Sequence, residues 1–93
     1  MSLPSFDEAQ QMIRDPSLPW MKHVEAASVI TATKDVSYDD VLACLRIRGL
    51  PSEWAACRLY VLTRRPRKDT CFESFSMNFD DWQSYLRDEL HVV

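Results

Sequence analysis

The chain has 93 residues, a formal net charge of −3 and 46% apolar residues, including three Trp, three Tyr and four Phe. That length holds one domain, residues 1–93, with a single core, and the composition excludes a disordered chain. The lone glycine, Gly49, argues against sandwiches and small barrels, which need many tight turns. It also excludes glycine-rich phosphate loops.

One four-residue phrase occurs three times: Ser5-Phe6-Asp7-Glu8, Ser37-Tyr38-Asp39-Asp40 and Asn78-Phe79-Asp80-Asp81. A capping residue, an aromatic and two acids open a helix, because the cap side chain accepts from the backbone and the acids face the positive end of the dipole. Ala9, Val41 and Trp82 follow the aromatics by one turn, and Ile13, Leu45 and Leu86 by a second, so each helix buries one face. The phrases start 32 and 41 residues apart, and the sequences between them do not align. They are read as shared capping chemistry, not as a repeat array.

The first helix runs from about Phe6 to Arg14 and ends at Asp15-Pro16, since proline pushes the preceding residue out of the helical region. A second helix starts near Trp20 and continues to about Thr31. Its β-branched end, within residues 28–34, has a short strand as the alternative. His23 is expected at the surface or its boundary. A third helix follows the Ser37–Asp40 capping box, and Gly49 is expected just past its end, in a Schellman ending that pairs Leu45 with Leu50. The fourth helix, residues 52–65, is apolar on most of its circumference and belongs at the centre of the fold. Residues 71–77 read either as an extended segment or as an irregular loop, and a last helix runs from about Phe79 to Leu90. The expected fold is all-α, a compact bundle of about five short helices, with Trp20, Trp54 and Trp82 supplying much of the core.

No apolar run approaches the roughly 18 residues of a membrane span, and the first residues lack the regions of a signal peptide. Cys44, Cys57 and Cys71 show no CxxC spacing and read as free cytoplasmic thiols. Cys57, on the apolar fourth helix, is expected to be buried and inert. Cys71, near Arg67 and Lys68, is the one weak pointer to an enzyme. His23 and His91 stand alone, so no metal site is expected. No cofactor and no catalytic residue is expected either.

The remaining feature is charge. Residues 46–68 hold seven of the eleven basic residues and one acid, Glu53, so this stretch carries +6 while the rest of the chain carries −9. A basic band in an acidic protein points to a local partner surface. The expected function is a small, non-enzymatic, cytoplasmic protein-binding module or regulator. Arg58, Arg64, Arg65, Arg67 and Lys68 would meet an acidic surface on another protein. The alternative is a nucleic-acid-binding regulator that uses the same arginines on a degenerate helix-turn-helix. Against it, Ser52, Glu53, Trp54 and Ala55 would face the bases, and Glu53 would oppose phosphate.

Overall fold

The computed structural model describes residues 3–63 and 78–93. Among them are five helices and no strand: α1 (Phe6–Ile13), α2 (Trp20–Ala32), α3 (Tyr38–Leu45), α4 (Leu50–Thr63) and α5 (Phe79–Ser84), the last continuing as a π-helical turn over Tyr85–Glu89. The expected extended segment at 71–77 lies outside the described residues.

The repeated phrase does what its chemistry requires. Ser5, Ser37 and Asn78 each accept from the backbone N–H three residues on. Glu8 and Asp81 close full capping boxes. Asp40 does not. Its carboxylate leaves the Ser37 N–H and takes the Ser37 hydroxyl, Gln10 and Arg14 instead. Ala9, Val41 and Trp82, with Ile13, Leu45 and Leu86, are all buried, and Phe6, Tyr38 and Phe79 pack against them.

The helices form two layers. α1 packs on α2 and α3 on α4, each through a short turn, while α2 and α4 pack on one another, and α3 touches both α1 and α5. The three helices that carry the phrase therefore lie in one layer, in chain order. In the other layer, Ala26 and Ala27 of α2 and Ala55 and Ala56 of α4 are buried. The expected central helix, residues 52–65, does not hold that place: α4 packs on α2 and α3 alone and turns a face outward, whereas α3 touches α1, α2, α4 and α5. Pro51 sits in the first turn of α4, as the first helical residues tolerate.

Three local expectations need correction, and one is met. α3 ends at Leu45 with Arg46 as its cap, so Gly49 is not its C′ residue. Gly49 does take the left-handed region, at φ 85°, but its carbonyl accepts from Glu53 N–H at 3.1 Å and so begins α4. Leu50 is exposed and makes no Schellman pair. The second helix runs to Ala32, as expected, and the strand alternative within residues 28–34 falls away, because Ile30 is fully buried and packing outweighs its branched propensity. Trp20 is half exposed instead of central: its indole Nε1–H donates to the Arg48 carbonyl at 2.8 Å and holds the ring over Gly49. His23 is buried, and its Nε2–H donates to the Asp15 carbonyl at 2.7 Å, closing the α1–α2 turn.

Candidate functional site

Arg58 is the one proposed contact residue among those described; Arg64, Arg65, Arg67 and Lys68 lie outside them, as does Cys71. The Arg58 guanidinium is turned inward. One terminal nitrogen donates to the Thr33 carbonyl at 3.0 Å and to the Lys34 carbonyl at 2.9 Å, and Nε is buried without a hydrogen-bond partner. These carbonyls lie just past the end of α2, where a cation satisfies acceptors and complements the negative end of the dipole. Arg58 is thus a clamp between α4 and the end of α2. Beside it, Thr31, Ala32, Trp54, Cys57 and Val61 line a shallow open groove.

The α3–α4 turn presents the band's other described cations. Arg46 and Arg48 are both exposed. Near Arg48 two apolar side chains are exposed, Trp20 at 46% and Leu50 at 42% of full exposure, and Met21, next to Trp20 in the chain, is exposed at 60%. The Trp20 ring lies on the Arg48–Gly49 backbone. Aromatics, Met and Arg are the residues enriched where proteins meet.

The sequence reading missed a second set of residues. An arginine stands nine positions after each cap, preceded by an aliphatic residue: Ile13-Arg14, Leu45-Arg46 and Leu86-Arg87. In the structure the first two serve successive joints of one layer. Arg14, at the end of α1, reaches the start of α3 and bonds Asp40 at 2.8 Å and Asp39 at 3.1 Å. Arg46, at the end of α3, reaches the start of α5, where its guanidinium carbon lies 3.9 Å from the Phe79 ring centre. Arg87 pairs with its neighbour Asp88. Extending the phrase from four residues to ten would have shown this signal. The phrase therefore marks equivalent helices as well as helix starts.

Burial pushes the Asp40 carboxyl up, but hydrogen bonds from Arg14, Gln10 and Ser37 and the Arg14 charge outweigh it, and its pKa falls below the usual aspartate range.

Between these joints lies a cleft of about 350 Å³. Its floor is apolar, with Leu42, Ala43, Ile47 and Phe79, and its rim carries Arg14, Asp39, Arg46 and Gln83. The buried His23 also lines it.

Of the two described cysteines, Cys44 is buried, and burial pushes its thiol up to about 12, which makes it inert. Cys57 is exposed, contrary to the reading of α4 as apolar all round: α4 turns one face outward, with Glu53 and Val61. Among the described residues no group of three His, Cys, Asp or Glu could hold a metal ion, and no helix is long and apolar enough to cross a membrane.

The fold and surface define a small all-helical protein built on two packed helical hairpins and a closing helix. No family model, curated protein or solved structure matches the chain.

Proposed function

We propose that this protein is a non-enzymatic, cytoplasmic binding module or regulator that docks an acidic surface of another protein. The observation that carries this reading is the exposed Trp20 ring seated on the Arg48–Gly49 backbone, with Leu50 exposed two residues after Arg48, at the start of a stretch with formal charge +6. An exposed aromatic anchor beside an arginine suits a partner patch that is itself apolar with an acidic rim. Arg58, which the fold uses to hold the far end of α2, is left out of the contact. Arg64, Arg65, Arg67 and Lys68 extend the charge and are assigned to the contact with the partner.

Charge reversal tests it. Arg48→Glu with Arg64→Glu and Arg65→Glu should leave far-UV circular dichroism unchanged and remove binding of an acidic partner. Retained binding by the folded variant would reject the assignment. Should the native protein shift mixed oligonucleotides at low salt, with affinity falling steeply as salt rises, the nucleic-acid reading would replace this one.

A further inference from the structure

We propose that the cleft between α1, α3 and α5 binds a small organic carboxylate with an apolar aryl or branched alkyl body. The inference does not depend on the docking reading. It rests on comparing two equivalent arginines.

Arg14 and Arg46 hold the same position in the ten-residue pattern and lie at successive joints of one layer. At the first joint the guanidinium has carboxylates: Asp40 has given up its backbone cap and turned to Arg14. At the second, the counterpart of Asp40 is Asp81, and its carboxylate accepts from the Asn78 N–H at 3.1 Å, within its own capping box. Arg46 has no carboxylate partner among the described residues. Its contact with the face of Phe79 fixes the guanidinium without using any of its N–H donors. A planar donor fork held in place is the usual recognition element for a carboxylate.

The surroundings select what that carboxylate is attached to. Ala43, Ile47, Leu42 and Phe79 offer an apolar floor beside the fork. The volume, about 350 Å³, falls at the small end of ligand pockets, roughly 300–1,000 Å³. The rim acid Asp39 is paired with Arg14 at 3.1 Å, so its repulsion of an incoming anion is compensated locally. The Gln83 side chain adds an uncharged polar group to the rim. An apolar body fills the floor and its carboxylate meets Arg46.

Titrations monitored by NMR, with phenylacetate and with phenylacetamide as probes, test the proposal on the intact protein. The acid should shift the resonances of Ala43, Ile47 and Phe79 and bind about tenfold tighter than the amide, as expected for a charge-assisted pair to arginine. Arg46→Gln should bring that ratio close to one. Ala43→Leu, which fills the floor, should weaken both probes alike. Helicity and melting of each variant confirm folding, and the acid-to-amide ratio is a readout that a purely structural role of Arg46 would not move. The proposal is overturned by no shift at millimolar phenylacetate, by equal affinity for the amide, or by a ratio that survives Arg46→Gln.

Discussion

Asp39 and Asp40 are adjacent, share one arginine and sit at similar distances from it, yet their removal should differ severalfold in cost. The Asp39 side chain is 88% exposed and that of Asp40 is 7% exposed. Asp40 accepts from Arg14 at 2.8 Å, Gln10 at 2.9 Å and Ser37 at 3.0 Å. Hydrogen bonds to a charged group contribute about 1.5–3 kcal/mol each when measured singly, and they are not additive. Because Arg14 is itself 40% exposed, its share falls toward that of a surface pair. Asp40→Ala should therefore cost about 2–3 kcal/mol, and Asp39→Ala less than about 0.5 kcal/mol. For a domain of this size the first corresponds to a melting drop of roughly 10–20 °C.

The pair also has a pH signature. The folded pKa of Asp40 is depressed, so its stabilisation is full above the unfolded carboxylate value and is lost as pH falls through the folded one. Urea denaturation at neutral pH and again in acid should show the native protein and Asp39→Ala losing stability steeply in acid. Asp40→Ala, already without that contribution, should lose less. Equal costs for the two variants, or an unchanged acid slope in Asp40→Ala, would refute this reasoning.

Trp82→Ala removes the largest fully buried side chain and should cost about 3–5 kcal/mol, read from the urea midpoint; a cost below about 1 kcal/mol would contradict its central place. Gly49→Ala imposes a Cβ on a φ of 85°, 3.1 Å from the Trp20 ring, and should destabilise by about 1 kcal/mol or more while shifting Trp20 fluorescence. Arg58→Met frees the Thr33 and Lys34 carbonyls and should cost about 1–2 kcal/mol, measured by thermal melting. Iodoacetamide should label Cys57 in the native protein and spare Cys44 until urea is added, as peptide mass mapping can show; equal labelling of the two would contradict their burial.

Helix starts were legible because capping is local: Ser5, Ser37 and Asn78 sit within three residues of the groups they satisfy. Buried faces were legible from spacing, as Val41, Leu45, Trp82 and Leu86 show. What escaped the sequence was long-range. Trp20 left the core because a carbonyl 28 residues away offered its indole a hydrogen bond. His23 went inside for the same kind of reason, on the Asp15 carbonyl. Arg58 looked like a surface charge because nothing near it in sequence reveals that the end of α2 lies alongside. The arginines that end α1 and α3 were visible as letters, but their shared role needed the layer order. The cleft, formed where three helices meet, had no sequence signature at all.

The docking surface is the central functional claim, and site-specific photo-crosslinking tests it most directly. A photoreactive phenylalanine analogue at Met21, exposed and next to Trp20 in the chain, should trap a protein whose linked peptide carries net negative charge. The same probe at Ser84, on the outward face of α5, should not trap it. Capture at both positions alike, or a linked peptide that is neutral or basic, would contradict the claim.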